Sequence, residues 1–278
     1  MGELLKGTEL AKSIRDDIKI KTKGFMIKPC LAVIQVGDNP ASNIYIKKKE
    51  EACNEAGIYF KLLRYNENAL EKEITNKIVE LNNDEYVNGI IVQLPLPDYL
   101  NSQRIVNHIT STKDVDGLND INTGRLFDGK DGMFPCTALG VMELLKSKNI
   151  EIAGKNVVIV GRGKLVGKPL MGLLLKNDAT VTVCHSKTID LKSYTSKADI
   201  LISCTGVKGL ITSDYIKDGA VVIDTGVTVI DGKTYGDVDT ANVIDKVSYI
   251  TPPIGGVGPM TVAMLLSNTI KSYEKNRK

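Results

Sequence analysis

Short, almost wholly apolar runs alternate along this chain with longer stretches in which apolar positions recur at helical spacing. Leu31–Val36 is such a run and ends at Gly37, which predicts a buried strand. A helix follows, with Ser42 placed to cap its start and Gly57 to stop it. Tyr59–Tyr65 reads as the next strand, Ala69–Leu81 as an amphipathic helix and Gly89–Gln93 as a third buried strand. This βαβα order predicts a parallel sheet covered by helices. From Leu94 to Pro135 the pattern gives way to Pro, Gly, Asn and Asp, with one short helix near Ser102–Ile109. Thr137 can then cap a helix over Ala138–Lys146. A second alternation predicts strands at Asn156–Val160, Thr180–Val183, Asp199–Ser203, Ala220–Asp224 and Ser248–Ile250. Helices are expected near Lys168–Lys176 and Leu191–Ser196. Asp231-Gly232 between β-type residues marks Val227–Val238 as a hairpin insertion. The tail, Thr261–Tyr273, reads as a long final helix.

One residue breaks the helical pattern. Tyr45, Lys49, Ala52, Cys53 and Ala56 share a face that is otherwise small and apolar, while Lys47, Lys48, Glu51 and Glu55 point elsewhere. An ammonium on an inward face either snorkels to water or sits where desolvation makes it usable as an acid or base. Ligands of open parallel sheets bind beyond the carboxyl ends of the strands, and Asp38, Tyr45 and Gln93 fall there.

In the second half, Val157–Val160 runs into Gly161-Arg162-Gly163-Lys164-Leu165-Val166-Gly167, with a helix after it. Glycines between a buried strand and a helix let phosphate oxygens approach backbone N–H groups at the helix N-terminus. An NAD site would be expected to carry Asp or Glu at the end of the next strand. This chain has Ser186 and Lys187 there, and Arg162 adds a cation, which favours the 2′-phosphate of NADP; a polar surface turn is the plainer alternative. Cys204-Thr205-Gly206 and Asp224-Thr225-Gly226 end further strands where ribose and nicotinamide would lie, so Thr205, Gly206 and Val227 join the cofactor-binding candidates.

Composition narrows the classes. Thirty-six basic and 33 acidic residues leave a net charge of +3, and four Phe with no Trp offer few stacking surfaces, so no nucleic-acid partner is expected. No apolar run approaches the roughly 18 residues of a membrane span, and no leader pattern is present, so a soluble cytoplasmic protein is expected. Five cysteines without a CxxC pair, and only two histidines, fit a reducing compartment and no metal site.

Four further segments sharpen the picture: Val92-Gln93-Leu94-Pro95-Leu96-Pro97, Lys113-Asp114-Val115-Asp116-Gly117-Leu118, Pro135-Cys136-Thr137, and Thr251-Pro252-Pro253-Ile254-Gly255-Gly256-Val257-Gly258-Pro259-Met260-Thr261. With Tyr45-x-x-x-Lys49, and in this order over nearly the whole chain, they resemble the bifunctional methylenetetrahydrofolate dehydrogenase/methenyltetrahydrofolate cyclohydrolase family. The resemblance implies an α/β protein of two domains with the active site in the cleft between them. Residues 1–140 would form a parallel-sheet catalytic domain, with the helix 260–278 packing back on it, and 141–259 a Rossmann-type NADP-binding domain. It implies that Lys49 is catalytic, that Tyr45 lies beside the pterin, and that Gln93, flanked by Val92 and Leu94 at the substrate, orients the lysine. Asp116 would grip the pterin's amino edge, and Pro253, Gly255 and Gly256 would form a lip between folate and nicotinamide. A carboxylate suits that edge because it only accepts hydrogen bonds when ionised. Asp114 competes for the role, and a turn-forming Asp-Gly also explains Asp116. The family further implies a cytoplasmic homodimer that supplies one-carbon units to purine synthesis, with tetrahydrofolate derivatives as substrates and no membrane partner.

Three positions depart from the family pattern: Gly163 where serine is frequent, Pro253-Ile254 where Val-Pro is common, and Ala138 where proline is common. Two rivals stay open, a monofunctional NADP dehydrogenase and a nucleotide-binding module without activity.

Overall fold

The computed structural model describes residues 2–275; Met1 and 276–278, at the outer ends of the expected folate domain, lie outside the described residues. In chain order the elements begin with strand β1 (Glu3–Leu4) and helix α1 (Gly7–Lys23). Then come β2 (Cys30–Val36), α2 (Pro40–Glu55), β3 (Tyr59–Tyr65), α3 (Glu71–Asn83), β4 (Gly89–Val92), α4 (Ser102–Val106), α5 (Asp120–Phe127) and α6 (Cys136–Ser147). The second alternation is β5 (Asn156–Val160), α7 (Gly167–Leu175), β6 (Thr180–Cys184), α8 (Leu191–Thr195), β7 (Ile200–Ser203) and β8 (Val221–Asp224). Hairpin strands β9 (Thr228–Ile230) and β10 (Lys233–Tyr235), helix α9 (Thr240–Val243), β11 (Tyr249–Ile250) and α10 (Val257–Lys275) complete it.

The chain divides into two compact units. The Lys49 unit holds Lys12–Cys136 and, of the described residues, 262–275; the glycine-loop unit holds Thr137–Thr261 and 2–11. The first residues therefore belong with the second half of the chain, not with the N-terminal domain in which the sequence reading put them. Hydrogen bonding is the reason: β1 pairs in parallel with β11, Glu3 opposite Tyr249 and Leu4 opposite Ile250. So short an edge strand leaves no periodicity to read.

In the Lys49 unit, β2 lies between β3 and β4 in a parallel sheet of order β3-β2-β4. Every residue of β2 is buried, as a central strand of a helix-covered sheet requires. Ile34, Ile74, Ile78, Ile90 and Ile105 pack into the core on one side of it. Helix α2 starts at Pro40 rather than after Ser42. Asn39 is its cap, accepting from Ser42 N at 3.1 Å, and Pro40 sits where a missing N–H is harmless. Ser42 Oγ is buried without a hydrogen-bond partner among the described residues. Gly57 turns the chain away at φ +73°, as expected of a stop.

Helix α5 arises inside the stretch that reads as loop, because Asn119 accepts from Asn122 N at 2.8 Å and starts it. The last helix begins at Val257 rather than Thr261, with Pro259 in its first turn, where proline is tolerated.

The glycine-loop unit is built on a parallel sheet of order β1-β11-β8-β7-β5-β6, six strands wide. Val158, Val160, Leu201, Val222 and Ile250 form the core on one side. The hairpin β9–β10 turns through Asp231 (φ 50°) and Gly232 (φ 73°), the two positive φ values of a tight two-residue loop. Among the described residues no helix is long and apolar enough to cross a membrane.

Candidate active site

The expected inward face of α2 grades from core to solvent. Ala52, Cys53 and Ala56 are buried, Lys49 is half-buried, and Tyr45 is 51% exposed. Lys49 thus stands at the rim of the core. Its Nζ donates to Gln93 Oε1 at 2.9 Å. Gln93 is itself fixed just past the end of β4: its N–H donates to Ile34 O at 2.8 Å and its Nε2 to Leu94 O at 2.7 Å. With the amide nitrogen committed to the backbone, the amide oxygen is left to face the lysine. An ammonium has three donors, so this bond leaves two for a ligand. Val92 is buried, Leu94 half-buried, and the Leu94–Pro95 peptide is cis.

The competing aspartates separate on geometry. Asp114 is 1% exposed and accepts from Asn122 Nδ2 at 2.8 Å, Asn119 N at 3.0 Å and Leu118 N at 3.2 Å. Burial raises its pKa to about 6, against those hydrogen bonds. Its oxygens are occupied in closing the loop that leads into α5. Asp116 is half-buried and, among the described residues, has no such set of backbone donors. Its carboxylate adjoins the Cys136 thiol, whose pKa is raised well above the usual value by burial first and by Asp116 second, with Lys49 acting in the opposite sense. Lys49, Gln93, Asp116 and Cys136 therefore form one neighbourhood. Gly117 (φ 70°) allows it: an added Cβ would lie 2.4 Å from the Phe134 carbonyl carbon.

Two supports of this neighbourhood were missed by sequence reasoning. Lys113 is 7% exposed and donates to the carbonyls of Leu81, Asn82 and Asp84, closing the C-terminal end of α3 with a cation. Asn268 of α10 donates to Val115 O at 2.8 Å and Phe134 O at 3.1 Å, holding together the segments on either side of Asp116. A polar amide among the apolar positions of the last helix is the signal for the second; nothing local marks the first.

Pro253, Gly255 and Gly256 lie in the glycine-loop unit, away in sequence and in compact unit from the lysine group. Gly255 (φ 77°) accepts through its carbonyl from Gly7 N at 2.8 Å and Thr8 N at 3.2 Å. At Gly256 a Cβ would fall 2.3 Å from Pro252 O, so the loop closes on itself only with glycine. Ile254, one of the departures, is 71% exposed.

The glycines after β5 are not equivalent. Gly161 has φ 117°, and a Cβ there would lie 2.6 Å from Cys204 O. A Cβ on Gly167, the first residue of α7, would lie 2.3 Å from Gly161 O. Around Gly163 nothing stands within 4 Å. Arg162, Gly163, Ser186, Lys187, Gly206 and Val227 are exposed, while Thr205 is half-buried. Ser186 and Lys187 sit in a turn closed by Thr188 N to His185 O at 2.8 Å. No carboxylate stands between Cys184 and Ile189 at the end of β6.

Behind this surface lies a pair of buried carboxylates, of which the sequence reading marked Asp224 only as a strand end and did not mark Asp237. Asp224, 3% exposed, accepts from Gly226 N, Val238 N and Asp237 N at 2.9, 2.9 and 3.2 Å. Burial raises its pKa to about 6. Asp237, wholly buried, accepts from Thr205 N at 2.7 Å.

Comparison with known proteins gives concordant matches to both units. Residues 5–116 match the family model of the tetrahydrofolate dehydrogenase/cyclohydrolase catalytic domain, and 135–277 that of the NAD(P)-binding domain of the same family. A Bacillus anthracis protein named bifunctional protein FolD is 48% identical over 276 residues, 98% of this chain and 96% of its own length. The crystal structure of the bifunctional methylenetetrahydrofolate dehydrogenase/cyclohydrolase from Campylobacter jejuni is 48% identical, with a TM-score of 0.98 and full coverage of both chains. The enzyme from Trypanosoma brucei, solved with NADP and an inhibitor, is 34% identical with a TM-score of 0.94, covering 100% of this chain and 99% of its own.

Proposed function

Because this chain belongs to the tetrahydrofolate dehydrogenase/cyclohydrolase family, we propose that it oxidises 5,10-methylenetetrahydrofolate with NADP⁺ and hydrolyses the resulting 5,10-methenyl cation to 10-formyltetrahydrofolate. The observation that carries the reading is the Lys49 Nζ to Gln93 Oε1 bond of 2.9 Å at the carboxyl end of a parallel strand, beside Asp116.

Asp116 offers its carboxylate to the paired donors of the pterin edge, and Tyr45 presents an exposed ring one helical turn before Lys49. With the substrate held so, the two unused donors of Lys49 serve the hydrolytic step. The amine relays protons between the attacking water and the bridging nitrogen, and Gln93 fixes the direction in which it reaches. Addition of water to the methenyl carbon and cleavage of its bond to the ring nitrogen release one proton overall.

The residues after β5 fit a dinucleotide: Gly161 and Gly167 are required by close backbone approaches, and the N-terminus of α7 follows them. When bound, NADP⁺ supplies the hydride acceptor for the first step. Arg162, Ser186 and Lys187 are offered for its 2′-phosphate, Thr205, Gly206 and Val227 for the ribose and nicotinamide, and Pro253, Gly255 and Gly256 for the approach of folate. The protein's share of that step is alignment. A homodimer in the cytoplasm, serving one-carbon supply, is the setting we infer.

Lys49→Met tests the reading. General acid–base help of this kind is worth roughly 10²–10⁴ in rate. Cyclohydrolase turnover of methenyltetrahydrofolate should fall by that order while NADP binding, measured by titration, persists. Near-normal hydrolysis would remove Lys49 from the mechanism. Reduction of NADP⁺ in the presence of methylenetetrahydrofolate by the unaltered protein separates an enzyme from a binding module.

A further inference from the structure

Strand β7 ends at Ser203; Cys204 N still donates to Val160 O of β5 at 2.9 Å, but the N–H groups of Thr205 and Val207 beyond it do not join the sheet. Asp237 takes them instead. Its Oδ2 accepts from Thr205 N at 2.7 Å and Ser203 Oγ at 2.8 Å, and its Oδ1 from Val207 N at 3.0 Å. The carboxylate is wholly buried, so these donors are the groups that make its charge tolerable there. The seat is built to shape. A Cβ on Gly226 would fall 1.9 Å from Asp237 Oδ1, and one on Gly236 would fall 2.0 Å from Asp224 Oδ2. Asp224 in turn accepts the backbone N–H of Asp237 at 3.2 Å, and Asp237 O accepts from Ile211 N at 3.0 Å, so the residue is held from both sides. The same loop is tied at its outer edge, where Thr228 Oγ1 of β9 donates to Gly206 O at 2.9 Å.

We infer that Asp237 is a positioning residue for the cofactor loop Cys204–Val207: its buried carboxylate draws the N–H groups of Thr205 and Val207 inward and so fixes the surface that Thr205 and Gly206 present. The segment that reads as a hairpin insertion is then part of the cofactor site's framework, with Thr228 opening β9 and Asp237 just after β10. This inference rests on the reading of Thr205 and Gly206 as cofactor contacts. Asp237 acts through the loop, not on the substrate, so its loss alters cofactor affinity and spares the hydrolytic step, which needs no cofactor.

The test uses Asp237→Asn, whose amide turns a donor toward backbone donors, and Ser203→Ala, which removes one hydroxyl and leaves the charge. NADPH affinity is read by fluorescence titration, dehydrogenase KM and kcat against NADP⁺, and cyclohydrolase activity on methenyltetrahydrofolate. Asp237→Asn should weaken NADPH binding and raise the KM for NADP⁺ by about tenfold or more, the scale on which displaced binding groups act. Its kcat at saturating cofactor and its cyclohydrolase activity should stay near the wild-type values. Ser203→Ala should move the same two quantities in the same direction by less. Unaltered NADPH binding in Asp237→Asn, or equal losses in both activities, overturns the inference. Should Asp237→Asn fail to fold, Ser203→Ala decides, and unchanged cofactor affinity in it overturns the proposal. Wild-type protein that bound no NADPH would overturn the cofactor reading and this inference with it.

Discussion

Asp114 and Asp116 stand on either side of Val115 and carry different loads. Asp114 spends its oxygens on Leu118, Asn119 and Asn122, whereas Asp116 keeps its carboxylate beside Cys136 and Lys49. Asp116→Asn should therefore weaken folate binding by about 1.5–3 kcal/mol, the worth of charge-assisted hydrogen bonds, with little change in thermal midpoint. Asp114→Asn should do the reverse, and a titration with folate beside a melting curve for each variant separates them. The sequence made both aspartates candidates, because a motif shows which carboxylates are near and not which lone pairs are already taken. Lys49 was legible for a different reason: its cationic character on an apolar face is a local contrast, and the 2.9 Å bond to Gln93 gives it a direction. Arg162 can be tested by the same logic. Its exposed side chain should matter more for NADP than for NAD, so Arg162→Ala should raise the NADP Michaelis constant by the larger factor, and equal rises would place the guanidinium elsewhere.

At the scale of elements, the glycine loop after β5 shows why a departure from a family pattern can be harmless. Open space surrounds Gly163, while Gly161 and Gly167 are pressed against backbone. Gly163→Ser should leave folding intact and, by adding a donor near the phosphates, keep or tighten NADPH binding. Gly161→Ala should lose cofactor binding and lower the melting midpoint, since it combines a φ of 117° with a Cβ 2.6 Å from Cys204 O. A fluorescence titration of both variants checks this. Most strands and long helices were readable because their apolar periods are unambiguous. Boundaries were less so: Asn39 and Ser42 are both capping types, and only the position of Pro40 in the first turn picks Asn39. Helix α5 was unreadable because its stability comes from buried Asn119 and Asn122 bonding to distant backbone, Ile109 O and Ser111 O among it. Polar residues that build a core have the composition of a loop.

For the whole molecule, acidity acts through two groups of carboxylates of opposite sign. Asp114 and Asp224 are raised by burial to about 6, so between their unfolded value near 4 and that point the folded state binds the extra protons. The stability they contribute is present below about pH 4 and is lost as pH rises through 6. Asp131, Asp199 and Asp214, first of all through their hydrogen bonds to Lys271, Lys217 and Lys192, are held low; their contribution is present above about pH 4 and is lost as pH falls below it. Asp224→Asn should therefore flatten the change in melting midpoint between pH 4 and 6 and leave the fall below pH 4 in place. The pairing of Asp224 with Asp237 was invisible in sequence, because the glycines that make room for them, Gly226 and Gly236, look like ordinary turn residues. So was strand β1, and its place has a consequence for how the protein is made. Glu3 and Leu4 leave the ribosome about 240 residues ahead of their partners Tyr249 and Ile250. They must wait, unpaired, while all the residues between are made. The edge of the sheet is thus sealed late, and amide exchange on stalled nascent chains should find residues 3–4 unprotected until the strand at 249–250 has cleared the exit tunnel.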